Sequence, residues 1–175
     1  EDDFRAAGFR CIETEVDRRG LNPKRDLALL KTYRRMLEAE RPDYVITYSI
    51  KPNIYAGLAC CFGHCFPVFA QFHGGKAVAT TYGYFLGIVA LMTGHWFWQF
   101  LFPILCFFVI LYLFKMVSVA SILSVLAAVI SSYALKCDLS ISLSLTALWL
   151  FVTYRHRSNL QRVMNGTESK IKWMG

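Results

Sequence analysis

The chain has 175 residues, 55% of them apolar, with a formal net charge of +7. That excess is uneven: residues 1–57 hold 11 Lys/Arg against 10 Asp/Glu, whereas residues 58–175 hold 8 against 2. Basic charge spread through an apolar stretch points to lipid headgroups or an anionic substrate, and the absence of a basic stripe interleaved with exposed aromatics excludes a nucleic-acid binder.

The first part reads as α/β. Residues 9–16 form an expected short strand after a helix stop at Gly8. Asn22-Pro23 supplies an N-cap and a first-turn proline, and Leu27, Leu30, Tyr33 and Leu37 recur at helical spacing up to Arg41-Pro42-Asp43. Residues 44–48 (YVITY) read as a second strand, completing a βαβ unit. One such unit is too small to be a stable domain. The chain opens Glu1-Asp2-Asp3, without a Met or a signal peptide, as expected of a fragment.

The second part reads as a membrane protein. No Asp, Glu, Lys or Arg occurs over residues 77–114, enough for two passes broken at Thr93-Gly94-His95. The expected segments are 78–93, 96–114, 116–135 and a shorter fourth at 139–154. Four passes place Lys76, Lys115, Arg155, Arg157, Arg162, Lys170 and Lys172 on one side and only His95, Lys136 and Asp138 on the other. The positive-inside rule makes the first side cytoplasmic. It also puts residues 63–76 and 155–170 on the same face.

Two polar clusters share that face. In the first, Gly74-Gly75-Lys76 follows Gly63-His64, and a glycine pair beside a lysine suits a phosphate through exposed N–H groups and a cation. In the second, His156, Asn159 and Arg162 recur every three residues and so share a helix face. Arg157 and Asn159 could orient a polar substrate, and His156 or Glu168, beyond an Asn165-Gly166 turn, could be a base or a structural carboxylate. Arg and His after a membrane segment also serve simply as topology anchors. Ser118, Ser121 and Ser124, three residues apart, read as close helix packing. The six cysteines (Cys11, Cys60, Cys61, Cys65, Cys106, Cys137) show no metal-ligand spacing and read as unpaired thiols.

The stretch GHCFPVFAQFHGGKAVAT (63–80) resembles the second signature of the PlsY family, the acyl-phosphate:glycerol-3-phosphate acyltransferases of bacterial membranes. Val117-Ser118-Val119-Ala120-Ser121 is similar to the next landmark, and HRSNLQR (156–162) with Gly166-Thr167-Glu168 to the third signature. The resemblance implies a multi-pass protein of the bacterial plasma membrane with its active face cytoplasmic. It also implies transfer of an acyl group from acyl phosphate to glycerol 3-phosphate, giving lysophosphatidate. By position, Gly63, His64, Gly74, Gly75, Lys76 and Arg157 would bind substrate, while His156, Asn159 and Glu168 would be catalytic. No metal or organic cofactor is implied, and the partners are the two substrates and membrane lipid. The family's first signature, a Gly-Ser-Gly-Asn type loop, is absent, and His73 stands where a Lys is usual.

Residues 1–57, with Lys51-Pro52-Asn53-Ile54-Tyr55, resemble instead the N-terminal part of family 4 glycosyltransferases, with a seam near residues 56–61. The expected architecture is therefore an α-helical integral membrane protein of about four segments (58–175) preceded by a truncated α/β segment (1–57). A membrane-tethered glycosyltransferase-like fragment and a non-catalytic membrane protein are the alternative readings.

Overall fold

The computed structural model describes residues 2–12, 14, 22–47 and 50–171. It divides into two compact units, Glu1–Ile46 and Thr47–Gly175.

In the first unit, helix α1 (Asp2–Ala6) ends at Gly8, whose φ of 84° lies where glycine carries no steric penalty. Helix α2 (Pro23–Glu40) starts as its sequence dictates: the Asn22 side chain accepts from the N–H groups of Lys24 and Arg25, with proline at the first position. It stops at Arg41, which turns left-handed ahead of Pro42. Leu27, Leu30 and Leu37 remain exposed, and Leu29 is the buried leucine of this helix. The expected βαβ unit is not formed among the described residues: 9–12, 14 and 44–47 carry no strand. Residues 13, 15, 16 and 48 of the expected strands lie outside the described residues. Tyr44, Val45 and Ile46 stand open, a β-prone run with no neighbouring ladder to satisfy its backbone.

The second unit is a helix bundle. Helix α3 (Ile50–Cys65) is followed by a 3-10 turn (Val68–Ala70) and α4 (Val78–Ile88), which runs on as a π-helical turn (Val89–Thr93) to Gly94. A second π turn (Phe97–Leu101) leads into α5 (Phe102–Phe114). The widened turn lies just ahead of Pro103, which has no N–H to continue an α-helical ladder. Helices α6 (Val117–Ala134), α7 (Leu139–Arg155) and α8 (Arg157–Met164) complete the unit. Among the described residues, three stretches are long and apolar enough to cross a membrane: Lys51–Ala70, Phe97–Phe114 and Val117–Ala134. Val78–Thr93 and Leu139–Arg155 are shorter apolar helices.

The four expected segments are thus present within a residue or two, and α3 is an additional apolar helix. Its first turn holds Lys51-Pro52-Asn53, part of the stretch that resembles a glycosyltransferase, and proline is well tolerated in a first helical turn. The expected seam at residues 56–61 falls inside this continuous helix.

Helix α6 is central, packed on α5 and α7, while α3 packs on α4 and α7. Its buried face is small (Ser118, Ala120, Ser121, Ser124, Ala128), so neighbouring backbones approach closely. The hydroxyls on this α6 face are satisfied within the bundle: Ser121 donates to Val117 O, Ser124 to Ser121 O, and Tyr82 to Ser124 Oγ at 2.8 Å. An unmet polar group in this apolar setting would cost several kcal/mol. Cys61 and Cys65 are fully buried, and all six cysteines are unpaired thiols.

Candidate active site

The two polar clusters meet. Lys76, two residues before α4, donates from Nζ to Asn159 Oδ1 on α8 at 2.6 Å, across 83 positions of sequence. Asn159 Nδ2 donates in turn to Glu168 Oε1 at 2.7 Å. Ser118 Oγ, in the first turn of α6, donates to the same oxygen at 2.7 Å, and Arg162 Nε to Oε2 at 2.9 Å. The outcome is a relay from an ammonium through an amide to a carboxylate gripped by three donors. The shared-face expectation holds in the strongest form available, direct contact.

Local structure explains the convergence. His156 caps both α7 and α8, and three-residue spacing along α8 carries Asn159 and Arg162 to Glu168. Gly166, at φ 69°, reverses the chain after α8, with the Thr167 N–H bonded to Arg162 O. Further along, Ile171 N–H donates to Lys115 O at 2.8 Å and straps the tail to the α5–α6 turn, next to Ser118.

Burial raises the Glu168 carboxyl, but the hydrogen bonds from Asn159, Ser118 and Arg162, with the Arg162 charge, outweigh it and hold the group down to about 2. This carboxylate is a fixed anion, unsuited to taking up a proton near neutral pH. His156 is the opposite case. Burial pushes its imidazole below the ordinary value, opposed by the bond to Val152 O, and Lys76 adds to the lowering. Its Nδ1 lies 2.8 Å from Val152 O. A carbonyl only accepts, so Nδ1 carries the hydrogen and Nε2 keeps its lone pair.

The glycine pair also has a packing role. Gly75 N–H is engaged by His64 O at 3.2 Å. A Cβ on Gly74 would collide with the carbonyls of His64 and Cys65, and one on Gly75 with the His64 ring. Both glycines therefore let the loop lie flat on the end of α3. Arg155 Nη2 closes the clamp, donating to Gly74 O at 3.2 Å and Gly75 O at 3.1 Å, with its guanidinium 5.0 Å from the Phe66 ring centre. Gly74→Ala is expected to displace residues 74–76, and with them the Lys76 ammonium, and to lower affinity for inorganic phosphate with the protein still folded. Titration calorimetry in detergent checks this, and unchanged affinity would detach loop packing from binding.

Gly63 and Arg157 are not drawn into this network. Gly63 has open space about it, and the Arg157 guanidinium stacks 4.5 Å over the exposed Tyr154 ring. Two site residues escaped the sequence reading. Ser118 was masked by the serine periodicity that truly describes Ser121 and Ser124, and Arg155 looked like one more interfacial charge. Among the described residues no group of three or more His, Cys, Asp or Glu could hold a metal ion.

The family model described as glycerol-3-phosphate acyltransferase matches residues 27–166. The glycerol-3-phosphate acyltransferase of Bacillus subtilis (strain 168) is 41% identical over 121 residues, covering 69% of this chain and 58% of the relative. That of Bacillus velezensis is 42% identical over 130 residues, covering 74% and 63%. The crystal structure of PlsY (YgiH), an integral membrane glycerol 3-phosphate acyltransferase, in its glycerol 3-phosphate form superposes with a TM-score of 0.60 at 30% identity, over 67% of this chain and 56% of that one. The chain thus spans about 58% of the length of the curated relatives it matches. The glycosyltransferase resemblance of residues 1–57 finds no support, and the family match begins inside α2.

Proposed function

Because the chain belongs to the glycerol-3-phosphate acyltransferase family, we propose that it transfers an acyl group from acyl phosphate to glycerol 3-phosphate at the Lys76–Asn159–Glu168 relay. The relay itself carries this reading: Lys76 spends one of its three donors on Asn159 and offers the others to an anion. The phosphate of glycerol 3-phosphate binds there, with Asn159 and Glu168 holding the ammonium in place. The acceptor's hydroxyl oxygen attacks the acyl carbonyl carbon, the carbon–oxygen bond to phosphate breaks, and lysophosphatidate and inorganic phosphate result. The hydroxyl proton passes to the free Nε2 of His156 and on to the departing phosphate. Gly63, His64, Gly74 and Gly75 contribute the loop wall, and Arg157 the charge at the rim. No cofactor takes part. Positioning and charge neutralisation provide the catalysis.

The region responsible is residues 58–175, which contain both clusters. The active face is cytoplasmic in a bacterial plasma membrane. Lys76, Lys115, Arg155, Arg157, Arg162 and Lys170 supply the positive charge that retains this face inside.

The test is acyl transfer from an acyl phosphate by this chain in lipid, beside an Asn159→Ala variant. Transfer that falls about a hundredfold in the variant is the expected result, the usual scale for losing one preorganised polar group. Equal rates would remove the relay from the reaction. No transfer by an inserted, folded chain would make it a non-catalytic membrane protein.

A further inference from the structure

The segment joining α3 to α4 has a shape the acyl-transfer reading does not use. It is a tight, self-bonded turn: Ala70 N–H and Phe72 N–H both donate to Pro67 O, Gln71 N–H to Val68 O, and His73 N–H to Ala70 O. Gln71 and Phe72 adopt φ of 50° and 62°, the left-handed region that disfavours residues other than glycine. This strained, rigid turn holds three apolar side chains outward, with Val68, Phe69 and Phe72 exposed to 76%, 95% and 61%. Apolar groups presented so fully imply a partner.

Two observations identify it as lipid. The turn ends the stretch Lys51–Ala70, one of the three able to cross a membrane, and so stands at the bilayer boundary. Besides Phe62, Phe108 and Tyr112 along α3 and α5, two groups of exposed aromatics stand at the ends of this unit's apolar helices. Trp96, Phe97 and Trp98 lie at the far end, and Phe66, Phe69, Phe72, Phe114 and Tyr154 at the near one. Paired belts of this kind mark the two bilayer interfaces. Arg157, exposed at the near end, complements headgroup phosphates.

We propose that residues 67–72 are an interfacial wedge, with Val68, Phe69 and Phe72 seated at the headgroup–acyl boundary of an anionic bilayer. The wedge is joined to the site through Phe66, which packs under the Arg155 guanidinium while Arg155 holds Gly74 and Gly75. Its depth in the bilayer therefore sets the depth of Lys76. This assignment requires membrane insertion only and does not depend on acyl transfer.

The experiment places p-benzoyl-phenylalanine at Phe69, and separately at Val68, in the whole chain in nanodiscs of phosphatidylethanolamine and phosphatidylglycerol. The reference position is Phe108, exposed on the apolar helix α5. Both sites are open to solvent or lipid, so the replacement leaves packing intact. After irradiation, mass spectrometry should find residues 68 and 69 carrying a one-lipid mass increase at a yield comparable to residue 108. Adducts to a second copy of the chain, or no lipid adduct at either position while residue 108 is labelled, would overturn the wedge.

Discussion

Replacing Lys76 by alanine is expected to weaken glycerol 3-phosphate binding by roughly ten- to a hundredfold, the range for losing a charge-assisted hydrogen bond of about 1.5–3 kcal/mol. The expectation rests on geometry as well as charge. The ammonium is held at 2.6 Å by Asn159, whose own amide is fixed by Glu168, so little ordering remains to be done when a phosphate arrives. Lys76→Arg should recover only part of the affinity, because a guanidinium is longer and planar and cannot keep the Asn159 contact while facing the same anion. Titration of inorganic phosphate and of glycerol 3-phosphate into both variants measures the effect. If Lys76→Ala bound both ligands as the parent does, the anion site would lie elsewhere.

Removing the carboxylate should have the largest structural effect. Glu168→Ala leaves Asn159, Ser118 and Arg162 without their common acceptor, and the expected loss of stability is on the order of 3 kcal/mol. Activity should fall with it, since Asn159 would no longer be held toward Lys76. Glu168→Gln keeps the shape and one accepting oxygen and should lie between the two. The pH dependence gives an independent check. The folded carboxyl titrates at about 2, below its ordinary 4.5, so between these values the unfolded chain binds more protons than the folded one. The stabilisation is therefore complete above about pH 4.5, fades as the pH falls, and is gone below about 2. Thermal unfolding in detergent should show a gap between the parent and Glu168→Gln that is constant from pH 8 to 5 and narrows toward pH 3, on the linkage just worked out. Parallel curves down to pH 3 would mean that the carboxylate is not held by its partners.

Some of this protein is written locally and some is not. The helices from Val78 to Arg155 follow from long uncharged stretches, because a backbone in lipid must satisfy itself and a helix does so within one segment. The start of α2 follows from Asn22-Pro23, since a cap bonds only to its own first turn. Even the meeting of the two polar clusters follows in outline, from counting passes and charges. Other features depend on which distant group stands opposite. The run at residues 44–47 has strand chemistry but no ladder, and the expected seam at residues 56–61 lies inside a continuous helix. Ser118 shares a spacing with two packing serines and differs from them only because the tail brings Glu168 to it. Arg155 holds two carbonyls some 80 positions away, and the glycines beneath it allow close approach to the end of α3, with the Gly75 N–H bonded to His64 O. The sequence alone determined the apolar helices and the family to which the chain belongs, because hydropathy, capping and motif spacing act over one or two turns. Only the tertiary structure decided which groups hold Lys76 and which carboxylate stays charged, because those energies arise between side chains brought together from opposite ends of the bundle.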